Sequence, residues 1–189
     1  MARTREFDED EALWKAVLIF WQRGYTNTSL NDLVDGMGLQ RSSLYRTFGD
    51  KESLFRRAVE RYTDEQLRRM PPGVGPKGAV AAWMRNALDD ARRKDRPSGC
   101  LLISSAVELP TLPPSIRPLV NEHMTRLRRF FHGAVRAAKE RGEVPPDLDV
   151  ERIAEQIFSA QIAMSVLGRT GTDNATLSRI VEGALELLN

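Results

Sequence analysis

Seven consecutive residues, Gln40-Arg41-Ser42-Ser43-Leu44-Tyr45-Arg46, carry an amide, two guanidiniums, two aliphatic hydroxyls and a phenol, with no acid among them. Those groups suit nucleic acid. Arg pairs bidentately with guanine and Gln with adenine, while hydroxyls and Tyr reach phosphate oxygens. Helical spacing turns Leu39, Leu44 and Phe48 inward, which leaves Gln40, Arg41, Ser42, Ser43, Tyr45 and Arg46 outside. Thr28 and Lys51 stand at the starts of the flanking helices, where free N–H groups and the positive dipole end attract phosphate. On composition alone, the same polar residues equally describe a solvated helix face.

The elements that must hold this segment read as helices throughout. Period-two alternation rich in Val, Ile and Thr is missing. Asp8 and Glu11 suggest a capping box ahead of a first helix, whose Leu13, Val17 and Phe20 form one stripe and Trp14, Leu18 and Trp21 a second. That helix ends at Gly24. Two short helices, about 29–36 and 40–47, are separated by Met37-Gly38-Leu39, the short glycine-bearing turn of a helix-turn-helix. Leu30, Leu33 and Val34 give the first its apolar face. Gly49-Asp50 stops one helix and caps the next, which runs from Lys51 to about Arg69.

The stretch PPGVGP (71–76) is a break, and it divides the chain into three parts. These are a DNA-binding unit at 1–50, a connecting helix at 51–70 and a remainder at 71–189. In the remainder, Pro76 opens a helix of about 77–93. Ser98 is placed to cap a short one at 99–109. A seam of Val120, Met124, Leu127, Phe131, Ala134 and Ala138 marks a long helix of about 115–141. Two last helices, about 149–168 and 173–188, are capped by Asp149 and Asp173.

The segment 24–55 resembles the DNA-binding domain of the TetR family. The resemblance rests on Gly24-Tyr25, Thr28, Gly38, Leu44-Tyr45-Arg46-Thr47-Phe48 and Lys51-Glu52-Ser53-Leu54, several fixed spacings matched over about 45 residues. It implies an all-α fold of about nine helices, a homodimer and a repressor released from its operator by a small molecule. It also implies phosphate contacts from Thr28, Tyr45 and Lys51, and base reading by Gln40, Arg41 and Ser42, extending to Ser43 and Arg46. One departure is Gln40, where many members have Ser; Gln caps a helix poorly. The partner so implied is double-stranded, near-palindromic operator DNA. SGCLLISSAVEL (98–109) also resembles a recurrent element in one subgroup of these regulators.

Family effectors bind between the long helices of the C-terminal half. By chemistry the candidates are Trp83, Met84, Cys100, His123, Met124, Phe131, Phe158 and Gln161, each of which plain core packing also explains. The helix at 149–168 is apolar nearly all round, which calls for a partner subunit as well as its own core. The last two helices are therefore the expected dimer seam. Cys100 falls near a helix start, where a thiol's pKa tends to drop, so a redox- or electrophile-sensing repressor is a second reading.

The bulk of the chain is consistent with this. In 189 residues, 41% are hydrophobic and 29% charged, and the net charge is only +2, so nucleic-acid binding must rest on where charge sits. One cysteine forms no internal bridge, which fits a cytoplasmic protein. MARTREFDED lacks an apolar signal core, and no apolar run is long enough for a membrane span. Catalysis finds no footing. His123 and His132 are nine apart on opposite helix sides and cannot share a metal; GVGPKG (73–78) lacks Walker spacing; no cofactor is implied. A helical protein-binding scaffold remains as the competing class.

Overall fold

The computed structural model describes residues 7–93 and 95–189; the opening MARTRE, read above for an export signal, lies outside the described residues. Nine helices and no strand occur among those residues. In order they are α1 (Glu9–Arg23), α2 (Leu30–Met37), α3 (Arg41–Phe48), α4 (Lys51–Arg68), α5 (Pro76–Arg92), α6 (Leu101–Val107), α7 (Arg117–Glu140), α8 (Val150–Arg169) and α9 (Asn174–Glu186), with a 3₁₀ turn at Leu109–Thr111 between α6 and α7. No helix among the described residues is long and apolar enough to cross a membrane.

Local chemistry sets the ends of these helices. Asp8 accepts from the Asp10 and Glu11 N–H groups at the acidic start of α1, relieving donors that have no intrahelical partner. A complete capping box lies at α2, where Ser29 and Asp32 each take the other's backbone N–H. Asp50, Asp149 and Asp173 cap α4, α8 and α9, and Pro76 opens α5. Gln40 stands at the cap position of α3 without a side-chain bond, as its length predicts. Ser98 does not cap α6. Its hydroxyl donates to the Ala91 carbonyl at 3.4 Å, and Cys100 occupies the cap position without a side-chain bond.

Two apolar cores follow. The second is built from α5, α7, α8 and α9. The first is centred on α1, whose Phe20 and Trp21 are fully buried. Phe55 of α4 meets Phe20 and Tyr25 edge-on, each at 5.0 Å between centroids, and Tyr62 meets Trp21 at 5.1 Å; such edge contacts are favourable beyond the area they bury. This first core does not stop at the 71–76 break. Leu101, Leu102 and Ile103 of α6 belong to it, with Leu112, Ile116 and Val120 beyond.

Polar ties reinforce that union. Glu108 accepts the Thr26 N–H at 3.1 Å. Arg169 donates to the Trp21 and Gln22 carbonyls at 2.8 and 3.1 Å, satisfying acceptors that the end of α1 leaves open. Ser115 donates to Glu52 at 2.5 Å, and Arg56 donates to the Ser115 carbonyl. The loop after α1 is thus gripped from the body of the molecule.

Gly24 lets that grip close. It sits at φ 80°, ψ 168°, a conformation open essentially only to glycine, and a Cβ there would lie 1.6 Å from a Glu108 carboxylate oxygen. Gly38 has φ 69° and ψ 34°, ordinary left-handed backbone with empty space around it. Gly24→Ala is therefore expected to cost about 2 kcal/mol or more of unfolding free energy. Gly38→Ala should cost only about 1 kcal/mol. Urea titrations of the two variants check the difference.

Candidate nucleic-acid interface

The α2–α3 unit is held by the first core. Leu33, Met37, Leu39, Leu44 and Phe48 are buried against α1. With those side chains turned in, Gln40, Arg41, Ser42, Tyr45 and Arg46 stand on the exposed face of α3, and Tyr45 is 43% exposed. The Arg41 guanidinium lies 5.9 Å from the centre of the Tyr45 ring, a cation–π distance that leaves its donors outward. Gln40, Arg41 and Ser42 precede or begin α3, where a recognition helix presents side chains to base edges.

Two expected contact residues are placed differently. Ser43 is buried, 6% exposed, and its hydroxyl accepts from Arg46 at 3.4 Å. It faces the core because it precedes Leu44 on the inward side of the helix. Thr28 is 1% exposed and lies before the cap of α2. Its hydroxyl donates to the Gly24 carbonyl at 2.6 Å and its N–H to the Tyr25 carbonyl, so it pegs the loop and has no donor left for phosphate.

Lys51 begins α4, half-buried, with its ammonium 4.3 Å from the centre of the Tyr25 ring. Burial pulls its pKa down, opposed by the charges of Glu108 and Asp32. The same burial, with Glu52 and Asp50 nearby, pushes the Tyr25 phenol up to about 12. Lys51 thus stands at a helix start, the end that carries free N–H groups and positive potential.

Behind this head a cavity of about 230 Å³ opens between α4, α5, α7 and α8. Of the eight sequence candidates it gathers Trp83, Cys100, His123 and Gln161. Met84 and Phe131 are fully buried in the second core, Phe158 packs on that core, and Met124 packs on the first. The missed part of the lining comes largely from α4: Tyr62, Thr63, Gln66 and Leu67. No periodicity announces it, because that face of α4 reads as an ordinary polar surface until α7 is laid across it.

Cys100 also departs from expectation. Its thiol is buried, and burial pushes its pKa up, offset in part by the Tyr62 hydroxyl. The predicted drop needed an exposed helix end, and a seven-residue helix with its start in the core supplies too little field to offset desolvation. The low-pKa basis for an electrophile sensor is thereby removed. His132 is bound by Glu151 and Glu155 at 2.8 and 3.0 Å, and no cluster fit for a metal occurs among the described residues.

Comparison with known proteins bears directly on this architecture. Residues 13–58 match the family "Bacterial regulatory proteins, tetR family", and residues 76–184 match "Tetracyclin repressor-like, C-terminal domain". The chain belongs to the TetR family. It is 32% identical to the HTH-type transcriptional repressor ComR of Escherichia coli K12, over 98% of this chain and 90% of that one. It is 29% identical, over the full length of both, to the HTH-type regulator YezE of Bacillus subtilis 168. Among solved structures, a cysteine-substituted TetR-family regulator CifR complexed with a 26-bp operator duplex superposes with a TM-score of 0.86 at 28% identity, covering all of both chains. Its relatives place this TetR-family chain among transcriptional regulators rather than enzymes.

For this family member, His123 supplies a pH handle on the cavity. Burial first, then Arg126, holds its pKa below the ordinary 6.5, against the pull of Glu122 and Glu60; Thr63 stands 3.4 Å from its Nδ1. Below pH 6.5 the unfolded chain therefore takes a proton that the folded chain refuses, so stability falls as pH drops until the depressed folded value is passed. Between about pH 6.5 and 5, His123→Asn is expected to lose less unfolding free energy than the parent. Urea midpoints measured across that range check the sign.

Proposed function

We propose that this chain is a DNA-binding transcriptional repressor that a small molecule releases from its operator. The observation that carries the reading is the exposed face of α3. It presents Gln40, Arg41, Ser42, Tyr45 and Arg46 on an intact helix-turn-helix, with Lys51 at the adjoining helix start. The operator complex of CifR supports the same use of the fold. Arg41, Ser42 and Gln40 read base edges in the major groove. Tyr45 and Lys51 fix the register through phosphates. Arg46 lies one turn further along and takes a flanking base or phosphate.

The reading also calls for a dimer. Val166 of α8 is 45% exposed, and Phe158, Ile162, Leu167, Ile180 and Leu185 are only half-covered within one chain. A second copy laid against α8 and α9 across a two-fold axis closes a four-helix bundle over them. Two α3 helices then meet successive major grooves of a near-palindromic site, about 34 Å apart. The effector occupies the cavity behind the head and favours an arrangement in which the two α3 helices no longer match that spacing. Action in the cytoplasm follows from the role. A helical protein-binding scaffold would use the apolar faces of α8 and α9 and leave the α3 surface without employment.

Recovering bound sequences from random duplex DNA with the full-length protein tests the proposal. Enrichment of a near-palindrome is expected, and no enrichment at low ionic strength would sink it. On the recovered site, Arg41→Ala should cost about 1–3 kcal/mol and relax the preference at particular bases. Lys51→Ala should weaken all sequences alike and lower the salt slope by about 1. Fluorescence anisotropy over a salt series separates the two behaviours.

A further inference from the structure

Two glutamines that line the cavity behind the head carry hydrogen-bonding groups with nothing to bond. Gln161 is 3% exposed; its Nε2 donates to Ser165 Oγ at 3.3 Å, while its Oε1 has no partner. Gln66 Nε2 is likewise buried and unpartnered. Both side chains line the cavity, and the walls between them are apolar: Trp83, Leu127 and Phe130. Leaving a buried donor or acceptor unmade is costly, so such pairs persist where a ligand completes them.

Away from the rim, charge in the cavity is matched or absent. The Asp90 carboxylate accepts from Arg69 at 2.6 Å, and its Oδ1, which makes no hydrogen bond, has the Arg96 charge 3.6 Å away. Burial keeps the thiol of Cys100 and the phenol of Tyr62 protonated and His123 neutral near pH 7. Arg126 lies at the rim, exposed to solvent. An ammonium or carboxylate carried past Arg126 to the glutamines would lose its water and find no free counter-charge there. Size is bounded too. A 150 Å³ apolar cavity holds benzene, so 230 Å³ corresponds to roughly nine or ten non-hydrogen atoms.

Resting on the effector reading above, we infer that the ligand of this cavity is an uncharged, largely apolar molecule of that size bearing an amide or comparable carbonyl group. With a turn of the side-chain amide, its carbonyl accepts from Gln66 Nε2 or its N–H donates to Gln161 Oε1, and its body lies against Trp83 and Phe130.

Calorimetric titration of the full-length protein with four probes of one shape tests this: benzamide, ethylbenzene, benzoate and benzylammonium. Benzamide is expected to bind about tenfold tighter than either ion. Gln161→Leu and Gln66→Leu should each weaken benzamide about tenfold and leave ethylbenzene unchanged or tighter. The unliganded variants should melt no lower than the parent, since each loses an unpaired polar atom. Benzoate or benzylammonium matching benzamide would overturn the inference, as would glutamine variants with unaltered benzamide affinity or a failure of all four probes to bind. Operator release is read separately by anisotropy. Benzamide that binds as described yet leaves operator affinity unchanged upholds the cavity's preference and overturns its role as the effector site.

Discussion

The insertion of α6 into the core of the helix-turn-helix head governs how this molecule can work. Leu101, Leu102 and Ile103 pack with Phe20, Trp21 and Phe55 in one continuous apolar cluster. Such interiors are close-packed and tolerate displacement poorly. The head is therefore no bead on a flexible linker, even though a Pro- and Gly-rich break follows α4. Its orientation is fixed by the same residues that fold it, and Glu108 and Arg169 add directional ties on either side of the α1 terminus. A chain assembled this way cannot shift α6 without disturbing the platform on which α2 and α3 stand.

The electrostatics of the surface follow a related economy. Net charge is near zero, yet the α3 face is basic because α3 itself carries no acid and several of the head's acids are paired. Arg57 meets Glu9, Arg61 takes Asp10 at 2.8 Å, and Arg23 meets Asp32, which also closes the α2 capping box. Among the described residues, Arg41 and Arg46 enter no ion pair. Individually such surface pairs stabilise little. Their consequence here is that these acids are neutralised by their partners, which leaves the unpaired guanidiniums of α3 to set the local potential.

Most of the fold was legible because helix starts and stops are written in short-range chemistry. Asp50, Pro76, Asp149 and Asp173 mark their helices by side-chain oxygens or a fixed φ, and the structure uses each of them as a start. The misplacements have a common origin in tertiary packing. Ser98 looks like a cap, but the approach of the 96–100 loop to α8 hands that position to Cys100. Ser43 and Thr28 have the polarity of contact residues, yet their hydroxyls are consumed inside the head. Cys100 has the address of a reactive thiol and the environment of a core residue. The α4 side of the cavity was invisible for the same reason: Gln66 acquires meaning only when α7 and α8 enclose it.

On the proposed effector reading, the placement of the cavity gives ligand occupancy a route to DNA. Its wall includes Cys100 and Leu102 at the start of α6, and Glu108 follows the other end of that helix. Seven residues at about 1.5 Å each make a rod of about 10 Å, too short to bend appreciably. On that reading a displacement at the cavity is passed to Glu108, which holds the Thr26 N–H in the loop between α1 and α2. The α4 wall gives a second route, since α4 runs from the cavity straight to Lys51. A ligand that merely filled space equally well in both arrangements would bind and change nothing, because only differential affinity moves an equilibrium. Unpaired glutamine groups offer that difference, for a hydrogen bond made in one arrangement and broken in the other distinguishes them more sharply than apolar contact. On the proposed effector reading, the polar atoms that look like flaws in the packing are the ones suited to make the head responsive.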